Sequence, residues 1–322
     1  MSALPESALP GSADPGSADG PALVTVGADR AHGMFSTVGA YVRLTKPRVI
    51  ELLLVTTVPA MVLAAEGMPS IGLMIAVLVG GTLAAGGANA INCWVERDSD
   101  QVMHRTRHRP LPLGEISPTS ALVFAIALEF IAFGLLWATA NLLAAVLAIS
   151  ATIFYVFVYT IWLKPRSPQN IVVGGAAGAV PVLVGWAAVT GSLAAPAWVL
   201  FAIIFFWTPP HFWALSVKYR DDYAAAGIPM LPVVKGLKVA SHQILGYSFV
   251  VLATTLVLVP VASMGVVYTA SAIVLGLAFI AQAGFLVRDL TPERALKLFI
   301  FSNIYLALLF AAVAVDVLVR AA

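Results

Sequence analysis

Residues 71–100 read IGLMIAVLVGGTLAAGGANAINCWVERDSD. The part from 71 to 93 carries no charged side chain. At ~1.5 Å per residue in a helix, it is long enough to cross the ~30 Å hydrocarbon core of a bilayer. It is continuously apolar and does not alternate polar with apolar residues, so it predicts a membrane-spanning helix and not a barrel strand. Acids then crowd in at once: Glu96, Asp98 and Asp100.

Runs of the same kind recur along the chain. Nine are expected, at about 49–65, 71–93, 119–137, 141–162, 169–190, 196–217, 241–262, 265–287 and 296–319. Composition agrees: of 322 residues, 60% are hydrophobic and 11% charged, with mean hydropathy +0.94. Soluble domains run at about 45–50% and 25%, so too little charge is present to cover a water-exposed surface. The reading is an all-α polytopic membrane protein with nine transmembrane helices. Nine spans put 17 of the 18 Lys and Arg on one side, leaving only Arg320 opposite. By the positive-inside rule the N-terminus is cytoplasmic and the C-terminus outside. No long basic face remains once the spans are drawn, which argues against nucleic acid as a partner. Cys93 is the only cysteine, so disulfide frameworks and cysteine-rich metal centres are excluded.

Residues 1–35 are of different material. SALP stands at 2–5 and 7–10, GSAD at 11–14 and 16–19. Such a Pro/Gly/Ser/Ala tract is expected to be disordered, leaving 36–322 as the nine-helix domain. The tract lacks the basic start and apolar run of a signal peptide. Glu6, Asp14, Asp19 and Asp29 argue against a transit peptide. A bacterial plasma membrane is therefore the expected location. The loops after spans two and six are about twenty-odd residues each, and both lie on the positive side. They follow helices four apart in order, which hints at a four-helix internal repeat.

Three clusters carry chemistry. If the second span continues as a helix, Asn92, Glu96 and Asp100 stand at i, i+4 and i+8 and share a face, drifting about 40° per step. An amide oxygen and two carboxylates form a hard-oxygen set suited to Mg²⁺, which substrate phosphates usually complete. Arg105, Arg107 and Arg109 follow, and arginine suits phosphate oxygens; read singly, each arginine could equally serve topology. The second cluster is Pro209-Pro210-His211 with Lys218, Asp221 and Asp222. Paired prolines are expected to break the helix, which makes His211 a functional candidate; a packed interfacial histidine is the other reading. Asp221 and Asp222 are either site acids or partners of Lys218 and Arg220. In the third, Lys164 and Arg166 could complete a phosphate clamp ahead of Gly174, Gly175 and Gly178, whose small-xxx-small spacing suits close helix packing. Tyr155, Tyr159 and Trp162 fall on one helical stripe, able to stabilise a carbocation or simply to form a core belt.

These clusters resemble the UbiA-type intramembrane prenyltransferases. The family pattern of Asn, acid four later, acid eight later and a basic element appears as Asn92, Glu96, Asp100 and Arg105-Thr-Arg-His-Arg109-Pro-Leu. The branch that farnesylates heme is suggested by Tyr159-Thr-x-x-Leu-Lys164, Gln169-Asn-Ile-Val-Val-Gly-Gly, Pro210-His211-Phe-Trp-Ala-Leu and Asp222-Tyr-x-x-Ala-Gly-Ile-Pro-Met-Leu-Pro-Val-Val. The resemblance covers roughly 40–320 and implies nine transmembrane helices around a central cavity. It implies a Mg²⁺-dependent transfer of farnesyl from farnesyl diphosphate to a vinyl group of heme B, with water addition, giving heme O and pyrophosphate. It further implies Asn92, Glu96 and Asp100 as metal ligands, with Lys164 and Lys218 beside them in the catalytic set. Arg105, Arg109, Arg166, His211, Asp221 and Asp222 would then be substrate-binding, His211 as an iron ligand or by orienting the porphyrin. A downstream heme-modifying membrane enzyme is an expected partner. Two departures stand out: the acids after span six are adjacent, with Lys218 where a second-site acid would fall, and Glu96 stands where Asp is commoner. A prenyltransferase acting on a quinone precursor and a non-catalytic carrier are the rival readings. Glu129, mid-span, has no role in any of them.

Overall fold

The computed structural model describes residues 34–321. The expected tail thus lies, for residues 1–33, outside the described residues. Twelve α-helices and one π-helix follow one another, and no strand occurs among the described residues. They are α1 (Met34–Leu44), α2 (Pro47–Ala64), α3 (Ile71–Val102), α4 (Pro118–Thr139), α5 (Leu142–Ile153), the π-helix Phe154–Leu163, α6 (Asn170–Thr190), α7 (Ala195–Lys218), α8 (Arg220–Ala225), α9 (Leu231–Val234), α10 (Gly236–Val261), α11 (Val266–Arg288) and α12 (Pro292–Ala321).

Eight helices among the described residues are long and apolar enough to cross a membrane, counting α5 with its π-helical continuation as one. They match eight of the nine expected spans. The expected first span falls on α2, whose apolar part, Ile50–Ala64, is shorter; at ~1.5 Å per residue it reaches only about 22 Å. Helix starts are set by local chemistry. Ser70 accepts from the Leu73 N–H at 3.3 Å, Ser117 from Ser120 at 3.1 Å, and Asn141 from Ala144 at 2.9 Å. Gly191, with φ 68°, supplies the left-handed cap that ends α6.

The packing order follows the chain. Helices α3, α4, α5 and α6 pack in succession, as do α7, α10, α11 and α12, and α2 lies against α6 and α12, the last helix of each set. This is the arrangement a four-helix repeat would give. The largest buried cluster joins both sets, from Ile171 and Leu183 on α6 to Trp213, Phe279 and Tyr305 in the second. Close approach uses small residues: a Cβ on Gly175 would meet the Thr208 Cβ at 2.9 Å, and one on Gly174 would collide with the Tyr159 ring. Gly178 has nothing within 4 Å, so the third glycine of the expected packing series does not take part.

Two further expectations are corrected. Pro209 and Pro210 do not break α7, which runs unbroken from Ala195 to Lys218. Two missing N–H groups free only two carbonyls, and a helix held by α6, α10 and α12 tolerates that. The loop after α3 is shorter than expected, 103–117, because α3 itself continues for 32 residues, about 48 Å.

Candidate active site

The extension of α3 decides the site. Asn92, at the end of the apolar run, and Glu96 and Asp100 beyond it ride on this helix, and all three are buried. Asp98, on the opposite side, has an 81% exposed side chain. Each buried oxygen-bearing group is met by a cation from a different segment. Lys164 pairs with Glu96. Arg109 Nη1 lies 2.6 Å from Asp100 Oδ2 and 3.8 Å from Glu96 Oε2. Lys46 Nζ donates to Asn92 Oδ1 at 2.6 Å. Burial pushes the Lys164 ammonium down, but the Glu96 carboxylate together with Tyr159 and Tyr223 outweighs it, and the pKa ends raised. For Arg109 burial likewise opposes charge, and Asp100, Cys93 and Glu96 together outweigh it, leaving the pKa raised. Lys46 faces only an amide, and burial holds its pKa below the ordinary value.

The π-helix delivers Lys164. Its i→i+5 bonding, seen in the Lys164 N–H to Tyr159 carbonyl at 2.8 Å, gives it more residues per turn than an α-helix. Tyr155, Tyr159, Thr160 and Lys164 therefore fall on one side. Thr160 accepts from Asn92 Nδ2 at 3.1 Å and donates to the Tyr155 carbonyl at 2.9 Å. Tyr155 and Tyr159 stack, with ring centroids 5.4 Å apart. Trp162 leaves this stripe and is 59% exposed, because the expected grouping assumed α-helical spacing.

Lys46 sits at the corner between α1 and α2 in a left-handed conformation, φ 54° and ψ 60°. A non-glycine residue before proline is strained there. The corner is fixed by Asn89, whose Nδ2 donates to the Thr45 carbonyl at 3.0 Å, and by the Lys46–Asn92 bond. In the sequence Lys46 is one of the 17 Lys and Arg on the positive side, and its place directly before Pro47 is the one signal that sets it apart. Thr160 had no sequence signal apart from its neighbour Tyr159.

The remaining candidates lie at varying remove. The two loops meet where the Arg105 N–H donates to Asp222 Oδ2 at 3.1 Å and its guanidinium lies over Tyr219 and Tyr223. Asp222 thus ties the loops together. Lys218 is exposed and packs on Tyr219, and Asp221 is exposed. Arg166 turns away from Lys164 and donates to the carbonyls of Ile161 and Trp162 at 2.9 and 3.0 Å. His211 is inside the bundle, buried between Trp207 and Phe299, with Nδ1 2.7 Å from Ser302 Oγ.

Two carboxylates and an amide oxygen on one stripe are the donor chemistry Mg²⁺ takes when phosphates complete its shell. Among the described residues there is no group of three His, Cys, Asp or Glu that could hold a metal unaided. A site of this make needs an anionic ligand, and the three cations beside it fit one.

The sequence profile described as the UbiA prenyltransferase family matches residues 53–309. The chain belongs to this family. It is 54% identical over 292 residues to a "Protoheme IX farnesyltransferase" of Frankia alni, covering 89% of this chain and 100% of that one. It is 57% identical over 280 residues to "Protoheme IX farnesyltransferase 2" of Saccharopolyspora erythraea, covering 86% of each. Among solved structures, digeranylgeranylglyceryl phosphate synthase superposes with TM-score 0.72 at 17% identity, covering 87% of this chain and 98% of that one. A UbiA homolog from Archaeoglobus fulgidus bound to GPP and Mg²⁺ gives 0.59 at 18%, covering 85% and 99%. At such identities the likeness speaks for the fold alone.

Proposed function

We propose that the chain transfers the farnesyl group of farnesyl diphosphate to a vinyl group of heme B, with addition of water, to form heme O and pyrophosphate. One observation carries the reading. A buried carboxylate pair and an amide oxygen on α3 are ringed by Lys46, Lys164 and Arg109, drawn from three separate segments. Cations around acids at the end of a membrane helix suit a diphosphate whose hydrocarbon chain enters the bundle. Relatives over 50% identical across nearly the whole chain, named for protoheme farnesylation, supply the acceptor.

Asn92, Glu96 and Asp100 would hold Mg²⁺, which when bound offsets charge on the departing pyrophosphate. Lys164, Arg109 and Lys46 exchange their present partners for phosphate oxygens, putting positive charge where negative charge develops as the C1–O bond breaks. Arg105, joined to Asp222, closes the loops over this mouth and, with Lys218, extends the basic rim. The stacked pair Tyr155 and Tyr159 offers π-faces to the allylic cation. The vinyl π-bond attacks C1, a new C–C bond forms, and the resulting cation takes up water and releases a proton. His211 holds the heme. The site faces the cytoplasm of a bacterial cell, with the N-terminus on that side.

The test is incubation of purified protein in detergent with heme B, farnesyl diphosphate and Mg²⁺, followed by mass measurement of the heme. A gain of farnesyl plus water that disappears in Asp100→Asn is expected. Prenylation of a quinone precursor with no heme product would overturn the acceptor, and no product from folded protein would favour a carrier.

A further inference from the structure

The contact between His211 and Ser302 has a direction that the surrounding bonds settle. Ser302, on α12, has one hydroxyl hydrogen, and its Oγ lies 2.6 Å from the Phe299 carbonyl, which can only accept. That hydrogen is therefore committed, and Ser302 Oγ can meet Nδ1 of His211 at 2.7 Å only as an acceptor. The proton of the neutral imidazole is thus on Nδ1. Nε2 is left with a bare lone pair and makes no hydrogen bond among the described residues. The ring cannot turn to escape this. Trp207 stacks on one face at 4.2 Å between centroids and Phe299 on the other at 4.5 Å, with Phe212 edge-on at 5.3 Å. The far side of the clamp is anchored too, since Trp207 Nε1 donates to the Ser302 carbonyl at 2.9 Å. Trp207 and His211 are one α-helical turn apart on α7, so a single face of that helix grips a single residue of α12.

A histidine whose Nδ1–H is donated to a fixed acceptor, and whose Nε2 is bare on a ring packed among aromatic side chains, has the outer-shell arrangement that ligating histidines use. A proton donor would need the opposite tautomer or a charged ring, and no acid lies among the groups packed on this one. We propose that Ser302 is a positioning residue that holds His211 as the Nδ1–H tautomer and so presents Nε2 as an axial ligand to the iron of a porphyrin substrate. The bond formed is dative, from the Nε2 lone pair to iron, and no electron or proton is transferred. This rests on the proposed heme farnesylation, and it adds both the ligating atom and the residue that sets it.

Ferric heme is the probe, added to purified full-length protein in detergent and followed by absorption and electron paramagnetic resonance. The wild type is expected to give a nitrogen-ligated spectrum. His211→Ala should lose it, and added imidazole should restore it. Ser302→Thr and Ser302→Val match each other in shape and differ in the hydroxyl. The Thr variant should keep the wild-type spectrum and affinity, while the Val variant should bind heme about 10–100-fold more weakly, the usual cost of losing an outer-shell partner. Equal heme affinity and spectrum in the Thr and Val variants would overturn the role of Ser302. A nitrogen-ligated spectrum that persists in His211→Ala would overturn the ligation. If the wild type makes heme O and the variants give either result, only this inference is lost; wild-type protein that makes no heme O loses the function reading itself.

Discussion

Removing Lys164 should damage the protein in two separable ways. Its ammonium is paired with Glu96, and the two side chains are 15% and 10% exposed. Breaking a buried pair by deleting one partner costs ~3–5 kcal/mol, because the other charge is left uncompensated. Here Arg109 also stands 3.8 Å from the second Glu96 oxygen, so part of that charge stays balanced and about 2–3 kcal/mol is the better figure. Lys164→Met should therefore lower the thermal midpoint in detergent by roughly 5–10 °C. Activity should fall further than stability explains, by ~10²–10³, the usual cost of removing one donor to developing negative charge. The double variant Glu96→Gln with Lys164→Met separates the effects, since it leaves no stranded charge. Its thermal midpoint should recover most of the loss while turnover, measured with saturating farnesyl diphosphate, stays at the level of the single variant. If turnover recovers along with the midpoint, the pair is structural and the assignment of Lys164 to the leaving group is refuted.

Four further outcomes follow from the geometry. Gly174→Ala places a methyl against the Tyr159 ring, five residues before Lys164; it should cut turnover at least ~10-fold through ~1–3 kcal/mol of overpacking, whereas Gly178→Ala, with open space around it, should leave turnover unchanged. Gly87→Ala would meet Glu129 Oε1 at 2.6 Å and should lower the unfolding midpoint, with much of the loss relieved by adding Glu129→Ala. Asp316→Asn weakens the carboxylate that accepts from the Gly265 and Tyr268 N–H groups at 2.7 and 3.1 Å and pairs with Arg320; it should destabilise by ~1–3 kcal/mol with normal turnover per folded molecule. Chelation of divalent cations should abolish turnover, and Mg²⁺ should restore it along a hyperbolic curve, not a sigmoidal one.

The membrane architecture was legible because bilayer thickness leaves a coarse mark: a continuous apolar run is visible whatever packs against it. The stripe of Asn92, Glu96 and Asp100 was legible for a related reason, since α-helical spacing fixes which residues share a face once the helix is known to continue. The errors come from places where spacing ceased to be α-helical or where the partner was remote in sequence. Trp162 was grouped with Tyr155 and Tyr159 on a 3.6-residue period, and the π-helix turned it outward. Arg166 looked like a second clamp residue beside Lys164, yet two residues in a turn face different ways, and it binds helix-end carbonyls instead. Lys46 and Ser302 stand 46 and 91 residues from the side chains they hold, and nothing local in the sequence names either partner. Glu129, which fitted no reading of the sequence, has an interhelical place: Thr152 donates to it at 3.1 Å, and Gly87 makes room for it against α3.

The charges gathered at the mouth bear on how many metal ions the proposed reaction would need. Lys46, Lys164 and Arg109 against Glu96 and Asp100 leave the resting cluster with one excess positive charge, and each carboxylate already has a basic partner. A diphosphate monoester carries about three negative charges near neutral pH, by the same ionisation that gives a phosphate monoester nearly two. One Mg²⁺ entering with it would therefore bring the whole assembly to neutrality. A second would leave two positive charges in a site with few oxygens left to take them, and a buried charge without a partner is costly. The second loop points the same way. Asp222 is occupied by the Arg105 N–H, Asp221 faces solvent, and Lys218 stands exposed over Tyr219 where another acid would be needed. Lysine at that position adds one more fixed positive charge at the rim, so the protein itself supplies part of what a second cation would bring. The hyperbolic Mg²⁺ response is the solution-level expression of that balance, and a sigmoidal response would mean that Asp221 and Asp222 leave their present places to build a second metal site.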